Sequence, residues 1–345
     1  MTLREKVGQL LMVGFRGLEA GERSPIIQDI RAGRVGGVVL FDRDLALDRD
    51  VRNIRSPRQV RRLIATLQEA AAIPLLVAVD QEGGKVARLK GKHGFPETVS
   101  AKRLGASDDP GLTRRRSAEI AAVLGAAGFN LNFAPVVDLN VNPANPIIGK
   151  HERSFSDDPG AVVRHALAVI AAHREHGVGC CLKHFPGHGS SRQDSHLGFT
   201  DVSDSWTPLE LEPFRELIAR GEADAVMTAH IFNRRLDPEF PATLSRQTID
   251  GLLRRELGFT GVVVSDDLDM KAISAEFARE RALELALNAG NDILLIANNL
   301  AFAKDAAPRA HEAILGLVAA GKIGKARIDE ACRRVQELKS RFTRR

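Results

Sequence analysis

The chain has 345 residues, of which 44% are hydrophobic and 27% charged, and its net charge is +5. This apolar content excludes a disordered chain, and the lack of an 18-residue apolar run predicts no transmembrane helix and no membrane association. The scattered basic residues disfavour a nucleic-acid-binding surface, and the count of 15 Phe, one Trp and no Tyr disfavours a long groove that stacks sugars or bases.

The chain begins with an apolar stretch that we interpret as a strand. Arg4 and Lys6 precede residues 7–15, an order similar to that of a signal peptide. The stretch is short, contains Gly and Gln, and leads into Arg16 and Gly17 with no small-residue cleavage site. We therefore predict a first β-strand here and no targeting segment.

Eight short apolar runs alternate with longer amphipathic segments along the chain. The runs are residues 10–15, 35–41, 74–80, 131–138, 179–184, 225–230, 261–266 and 292–297. The amphipathic segments are residues 57–71, 112–127, 160–176, 208–220, 245–257, 274–289, 303–320 and 325–342. Apolar strands joined by helices are typical of a covered parallel sheet, and eight such units predict a single (β/α)₈ TIM-type barrel. No linker divides the chain, so we predict one domain over residues 1–345.

Several of the apolar runs end in a polar or ionisable residue. These residues are Asp80, Asp138, Lys183, His184, His230 and Asp266. In a barrel of parallel strands the C-terminal strand ends form one rim, so side chains far apart in sequence converge there. This pattern predicts an enzyme with its active site on that rim.

The segment richest in reactive side chains is KHFPGHGSSRQDSH, residues 183–196, and its spacing allows three chemical interpretations. The first is a zinc or iron site with the ligands His184, His188, Asp194 and His196. The second is a Schiff base on Lys183. The third is an acid/base dyad in which Asp194 orients His196. A polar surface loop with no catalytic role is the remaining alternative.

The seventh run delivers Asp266 to the rim, with Asp267 and Asp269 just beyond it. A carboxylate at a strand end can act as nucleophile or base while a second group supplies the proton. Because Asp is a favoured helix N-cap, we expect Asp267 or Asp269 to cap the next helix. Asp266 is the better candidate for a chemical role.

Two further segments supply groups suited to holding a sugar or an anion. Asp80 ends the third run, and Gly83 and Gly84 permit a tight turn before Arg88. Arg153 follows the fourth run and adds a second guanidinium. Carboxylates and arginines suit bidentate hydrogen bonding, whereas no G-x-G-x-x-G motif indicates a dinucleotide site.

Together these motifs resemble those of glycoside hydrolase family 3, in particular its single-domain bacterial β-N-acetylhexosaminidases. The resemblance covers residues from about 5 to 270. Besides residues 183–196, it rests on EKVGQLLMVGF (5–15), DQEGG (80–84), RSF (153–155) and SDDL (265–268). The 183–196 segment is the most specific, because other branches of the family lack its Asp-Ser-His and take their acid/base from a second domain.

The resemblance implies a role for each candidate residue. Asp266 would be the nucleophile that forms a covalent glycosyl–enzyme, with retention of anomeric configuration. His196 would be the general acid and then the general base, with Asp194 as its partner. The residues that would hold the hydroxyls and acetamido group of the terminal sugar are Asp80, Arg88, Arg153, Lys183 and His184. Histidine suits an acid/base role because its unperturbed pKa of about 6.5 lies near working pH.

The resemblance also implies a substrate. It predicts an exo-acting β-N-acetylglucosaminidase that removes GlcNAc from 1,6-anhydro-N-acetylmuramic acid muropeptides during peptidoglycan recycling. It implies no metal, no cofactor and no obligate protein partner. The alternatives are a relative with another sugar or with phosphate as acceptor, a metal-dependent barrel hydrolase, and a non-catalytic sugar-binding barrel.

Two features depart from the pattern of that family. Lys85 stands where Arg is usual, and the charged stretch from Asp42 to Ser56 (the 42–56 stretch) is longer than typical. We predict this stretch to be a surface loop.

Three cysteines are too few to stabilise a chain of this length through disulfide bonds. Cys180 and Cys181 are adjacent in an apolar run, and Cys332 lies in a helical pattern. Buried reduced thiols are typical of a reducing compartment, so we expect a cytoplasmic protein.

Overall fold

The computed structural model describes residues 1–195 and 197–343. Over these residues the chain forms eight short, buried strands, and each coincides with one of the eight apolar runs. They are β1 (Leu11–Gly14), β2 (Gly37–Val39), β3 (Leu76–Val79), β4 (Leu131–Asn132), β5 (Gly179–Phe185), β6 (Ala225–Thr228), β7 (Val262–Val264) and β8 (Leu294–Ile296).

The strands form a parallel sheet that curves into a barrel. Strands that are neighbours in sequence are neighbours in the sheet from β1 to β7, and β8 pairs with β1, where Leu294 lies opposite Leu11. The seam between β7 and β8 closes through a bridge between Val264 and Ile293, beside which the backbone N of Ser265 donates to the carbonyl O of Ile293 at 2.9 Å. This arrangement confirms the predicted (β/α)₈ TIM-type barrel.

Helices surround the barrel and cover the outer face of the sheet. They are α1 (Leu3–Gln9), α2 (Pro25–Arg31), α3 (Pro57–Glu69), α4 (Ala101–Ala106), α5 (Pro110–Ala127), α6 (Pro159–Glu175), α7 (Glu212–Ala219), α8 (Lys271–Ser274), α9 (Arg279–Ala289), α10 (Ala306–Ala319) and α11 (Lys325–Phe342). A π-helix over Gln247–Glu256 takes the place of the predicted amphipathic segment before β7. No helix in the described part of the chain is long and apolar enough to cross a membrane.

The first element is a helix, so the prediction of a strand from residue 7 is wrong for residues 7–9. The side chain of Thr2 accepts a hydrogen bond from the backbone N of Glu5, and the Glu5 carboxylate accepts one from the backbone N of Thr2 at 2.6 Å. This capping box satisfies two N–H groups at the start of α1. The first strand therefore begins only at Leu11.

The hydrophobic core has an inner and an outer part. The inner part fills the barrel with side chains from the strands, including Met12, Phe133 and Met227. Helix α11 adds Leu338 and Phe342 to this inner cluster, so it covers the N-terminal end of the barrel. The outer part lies between strands and helices, and the C-terminal end is left free for the loops that carry polar residues.

The 42–56 stretch is not simply a surface loop. Arg52 is 3% exposed, and it donates to Asp44 at 3.1 Å and to the carbonyl oxygens of Phe15 and Asn298 at 3.0 and 2.8 Å. The prediction holds for residues 45–51, which are exposed, but not for Arg52. Charged residues are ordinarily solvated, whereas here a buried Arg–Asp pair fastens the stretch to the loops after β1 and β8.

Candidate active site

A cavity of about 430 Å³ opens at the C-terminal end of the barrel, and its volume is typical of a small-ligand site. Seven of the eight predicted site residues line it: Asp80, Arg88, Arg153, Lys183, His184, Asp194 and Asp266. The eighth, His196, lies outside the described residues. The barrel therefore brings together side chains that are up to 186 positions apart in sequence, from Asp80 to Asp266 (266 − 80 = 186).

The turn after β3 returns Arg88 to the side of Asp80. Gly83 and Gly84 have φ angles of 105° and 59°, as a tight turn requires. A Cβ at Gly84 would lie 2.5 Å from the Cβ of Ser100, so a side chain there would clash. Nη2 of Arg88 donates to Oδ2 of Asp80 at 3.2 Å. The expected tight turn is present, and it presents the Asp80–Arg88 pair to the cavity.

Lys183 lies between two carboxylates in the cavity wall. Its Nζ is 2.8 Å from Oδ1 of Asp80 and 2.7 Å from Oε1 of Glu82. Burial lowers the pKa of Lys183, but the two carboxylates more than offset burial and the pKa is raised. Lys183 is therefore an ammonium group, and an ammonium group is not the nucleophile that a Schiff base needs.

The carboxylates of this wall are held ionised. Burial raises the pKa of Asp80 and of Glu82, but the nearby cations outweigh burial in both cases. The charges of Lys183 and Arg88 hold the pKa of Asp80 well below its usual range. Those of Arg153 and Lys183 lower the pKa of Glu82 to about 2.

Arg153 belongs to a charge network and connects it to His184. The other members of the network are Asp80, Glu82, Arg88 and Lys183. Its Nε and Nη2 donate to the two carboxylate oxygens of Glu82 at 2.8 and 2.7 Å. Burial lowers the pKa of Arg153, but the Glu82 charge outweighs it and the pKa is raised. Nη2 also lies 3.1 Å from Nε2 of His184. The network holds three cations, Arg88, Arg153 and Lys183, against the carboxylates of Asp80 and Glu82, so it offers directed polar groups that opposite charges keep in place.

His184 is held neutral and in one tautomer. A guanidinium only donates, so Nε2 of His184 accepts from Arg153 and the ring proton sits on Nδ1, which donates to Oδ2 of Asp138 at 2.6 Å. Burial, followed by the charges of Arg153 and Lys183, lowers the pKa of His184 well below its ordinary value. With both ring nitrogens engaged, His184 could bind a metal ion only by breaking these bonds.

The metal-site interpretation finds no donor cluster in residues 1–195 and 197–343. Within these residues no group of three or more His, Cys, Asp or Glu side chains is placed to hold a metal ion. Of the four ligands proposed from the sequence, His184 has both ring nitrogens in hydrogen bonds. His196 lies outside the described residues.

The first half of the loop after β5 is firmly anchored. Oδ1 of Asp138 accepts from the backbone N of His188 at 2.8 Å, and Nδ2 of Asn145 donates to the carbonyl O of His188 at 2.7 Å. Nε1 of the buried Trp206 donates to the carbonyl O of Pro186 at 3.0 Å. These bonds fix the loop where it leaves the barrel.

The second half of the loop carries the residues predicted to supply the acid/base. Asp194 and Ser195 both line the cavity. Oγ of Ser195 lies 3.2 Å from Nε2 of His188, which links the second half of the loop to the anchored half. Arg192 and Leu197, on either side, are exposed.

Asp266 follows β7 and lies beside a second carboxyl group. Its Oδ1 accepts from the backbone N of Asp267 at 2.8 Å. Burial, with a contribution from the charge of Asp269, raises the pKa of Asp267 to about 8. The raised pKa favours the protonated form of Asp267 and so reduces the negative charge next to Asp266.

The expectation that Asp267 or Asp269 caps the next helix is wrong. The N-cap of α8 is Met270, with no side-chain cap. Oδ1 of Asp267 instead accepts from the backbone N of Ala297 at 2.9 Å, and Oδ2 of Asp269 accepts from that of Asn298 at 3.1 Å. Both carboxyl groups therefore tie the loop after β7 to the end of β8, which a local capping rule cannot reveal.

Two residues of the network are missing from the predicted site. Glu82 connects Lys183 with Arg153, and Asp138 sets the tautomer of His184. Glu82 is two positions after Asp80. Asp138 is at the end of the fourth apolar run, so the sequence already indicated that both residues lie near the C-terminal rim. Their partners come from other strands, however, and only the closed barrel makes them neighbours.

A family model and a curated relative match most of this chain. The model described as the glycosyl hydrolase family 3 N terminal domain matches residues 2–338. A β-hexosaminidase of Tolumonas auensis is 39% identical over 300 residues, which cover 84% of this chain and 83% of that protein.

Two solved structures are similar in fold and in sequence. A glycoside hydrolase family 3 β-N-acetylglucosaminidase from Paenibacillus sp. superposes with a TM-score of 0.90 and 40% identity over 99% of this chain. The chain spans 63% of the length of that protein. A β-N-acetylhexosaminidase from Beutenbergia cavernae has a TM-score of 0.87 and 32% identity, with 99% of both chains covered.

Proposed function

Because the chain belongs to glycosyl hydrolase family 3, we propose that it is a retaining exo-β-N-acetylglucosaminidase. The observation that carries the proposal is that seven of the eight predicted site residues line one cavity. A terminal β-linked GlcNAc occupies this cavity, and the rest of the substrate extends through its open mouth. Since the lining residues range from Val39 to Leu300, we further propose that residues 1–345 act as one catalytic domain.

In the first step of the proposed reaction, Asp266 attacks the anomeric carbon. An ester bond forms between its carboxylate and the sugar while the glycosidic bond breaks, and His196 donates its proton to the leaving oxygen. Asp194 orients the imidazole and stabilises its protonated form. The raised pKa of Asp267 reduces the negative charge beside Asp266.

In the second step, His196 acts as the base. It takes a proton from a water molecule, which attacks the same carbon and releases the carboxylate of Asp266. Two displacements at one carbon give net retention of configuration.

The charge network binds the sugar in this proposal. Asp80 and Arg88 offer acceptors and donors to the hydroxyl groups, and Lys183, Arg153 and His184 complete the wall. Each is held by its neighbours before substrate arrives, so little reorganisation is needed on binding.

The nucleophile assignment is tested with a chromogenic β-N-acetylglucosaminide. We expect the wild type to cleave it and Asp266→Ala to cleave almost none. Asp329→Ala, on the exposed face of α11, is the matched control and should keep wild-type turnover. Unchanged turnover in Asp266→Ala would overturn the assignment.

The acid/base assignment is tested by varying the leaving group. His196→Ala should lose more rate on substrates with poor leaving groups than on activated ones, because only the former need a proton. The exposed His176 supplies the control variant His176→Ala. Equal losses on both kinds of substrate would contradict the role.

We also propose the physiological substrate and the location. The substrate is a GlcNAc-1,6-anhydroMurNAc muropeptide from peptidoglycan recycling, and the compartment is the cytoplasm. The free, buried thiols of Cys180, Cys181 and Cys332 support a reducing compartment. Product analysis on muropeptides and chitooligosaccharides, with and without phosphate, should show faster release of free GlcNAc from muropeptides. Release of GlcNAc 1-phosphate would identify a phosphorylase instead.

A further inference from the structure

Exposed apolar side chains are concentrated on the loops at the C-terminal end of the barrel. Among the described residues, nine large hydrophobic side chains are exposed, and seven of them lie on these loops. The seven are Leu45, Leu47, Val51, Val141, Leu197, Phe199 and Leu300. Exposed apolar residues scattered singly need no explanation, but apolar residues exposed at the mouth of a polar cavity do.

Two of these side chains belong to the cavity itself. Leu45, on the 42–56 stretch, is 49% exposed, and Leu300, after β8, is 36% exposed. Both line the cavity whose deeper wall carries the charge network. The mouth therefore has an apolar part next to a polar interior.

The backbone that carries Leu45 is fixed to the backbone that carries Leu300. Oδ1 of Asn299 accepts from the backbone N of Leu45 at 3.0 Å, and its carbonyl O accepts from that of Ala46 at 3.0 Å. Nδ2 of Asn299 donates to the carbonyl O of Arg43 at 3.2 Å. The backbone segments that carry Leu45 and Leu300 are therefore joined through the hydrogen bonds of Asn299, a contact that we call the junction.

The buried Asp44–Arg52 pair is hydrogen-bonded to the same junction. Asp44 accepts from Arg52 at 3.1 Å and from Nε of Arg16 at 2.6 Å. Arg52 also donates to Oδ1 of Asn299 at 2.9 Å, so the pair and the junction are one network. A hydrogen-bonded backbone that holds exposed leucines at the mouth of a polar cavity keeps apolar surface accessible to a ligand.

We propose that Leu45 and Leu300 form a subsite for the apolar part of the aglycone, the group that leaves when the glycosidic bond breaks. The inference rests on the proposed function. An exo-acting site encloses the terminal sugar, so the aglycone must pass through the mouth, where these two side chains lie. The ligand class is an aglycone with an alkyl, aryl or other apolar face, because leucine contributes only dispersion and the hydrophobic effect.

The subsite predicts a dependence of rate on aglycone size. Methyl, butyl and octyl β-N-acetylglucosaminides have alcohols of similar acidity, so the chemical step is alike and only binding of the chain differs. Burial of one methylene is worth about fourfold in an equilibrium constant. We expect kcat/KM to rise at least about tenfold from methyl to butyl, measured as released GlcNAc.

Two variants locate the effect. In the double variant Leu45→Ser, Leu300→Ser we expect kcat/KM to be nearly the same for all three glycosides. Leu209→Ser is the matched control, because Leu209 is also a half-exposed leucine, 48% exposed, but does not line the cavity. It should keep the full dependence on chain length. The substituted side chains are exposed, so folding is not at risk.

The possible outcomes distinguish an error in the proposed subsite from an error in the proposed function. If the wild type hydrolyses aryl β-N-acetylglucosaminides but shows no chain-length dependence, the subsite is wrong and the function stands. If the dependence persists in the double variant, the subsite is also wrong. If no β-N-acetylglucosaminide is hydrolysed, the proposed function itself fails. A concentration-dependent dimer that the double variant abolishes, with chain-length dependence unchanged, would assign the leucines to contact between copies instead.

Discussion

Lys183 and Lys339 are both buried, one at each end of the barrel. Lys183 lies at the C-terminal end between Asp80 and Glu82, which raise its pKa against the effect of burial. Lys339 lies on α11 at the N-terminal end, where its Nζ donates to Oε1 of Gln9 at 2.6 Å. Burial lowers the pKa of Lys339 to about 7.

The difference shows that partners, rather than burial, decide the charge of a buried lysine. An amide oxygen satisfies one hydrogen bond of an ammonium group but does not balance its charge, whereas two carboxylates do both. The site end of the barrel therefore keeps a permanent cation, and the opposite end carries a lysine that costs stability when it is protonated.

The largest expected effect comes from removing the cation at the site end. Lys183→Met leaves Asp80 and Glu82 with fewer cations in a buried position, so the free energy of unfolding should fall by about 3–5 kcal/mol. Hydrolysis of a chromogenic β-N-acetylglucosaminide should also be lost, because Lys183 lines the cavity. Urea unfolding and kcat/KM measure the two effects.

A second variant separates charge from packing. In Lys183→Met, Asp80→Asn one of the two opposing charges is gone, and part of the lost stability should return while activity does not. If the double variant is no more stable than the single one, loss of packing rather than of charge explains the effect.

The next effect in size has the opposite sign. Lys339→Met removes a lysine whose pKa is depressed in the folded state, so it should stabilise the protein by roughly a few kcal/mol at pH 6. Between pH 7 and about 10.4 the unfolded chain binds more protons at this site than the folded one, so wild-type stability rises with pH there. The advantage of Lys339→Met should shrink over this window. An advantage independent of pH would show that Lys339 is charged in the fold.

The smallest effect is expected for an exposed lysine of the rim. Lys85 is half exposed and its Nζ is 2.9 Å from Glu152. Exposed ion pairs contribute little, so Lys85→Met should change the free energy of unfolding by less than about 1 kcal/mol. If Lys85→Met lowered the free energy of unfolding as much as Lys183→Met, burial next to carboxylates would not explain the larger effect expected at Lys183.

Much of the fold could be predicted because the strands are local features. Each apolar run contains or overlaps one strand, since both faces of a parallel barrel strand are buried. Helix α1 was missed because its signal is a capping box between Thr2 and Glu5 rather than a long amphipathic pattern. The exposed loop within the 42–56 stretch could be predicted from its charge, but its buried part could not, because the burial of Arg52 depends on Asn298 and Asn299, which are 246 and 247 positions away.

The candidate site could be predicted only in part. Strand ends and the family resemblance identified Asp80, Lys183 and Asp266, and the structure brings them to one cavity. The roles of Glu82 and Asp138 depend on side-chain contacts between different strands, and these contacts cannot be read from spacing along the chain. The tautomer of His184 is likewise a property of the network, because Arg153 and Asp138 together determine it.

The central claim, that Asp266 is the nucleophile of a retaining glycosidase, is tested most directly by trapping the covalent intermediate. The protein is incubated with a fluorinated N-acetylglucosaminide whose second step is slow, digested and examined by mass spectrometry. We predict one added glycosyl unit on the peptide that contains Asp266, and none in Asp266→Ala. A glycosyl unit on another carboxylate, or no adduct together with a product of inverted anomeric configuration, would contradict the claim.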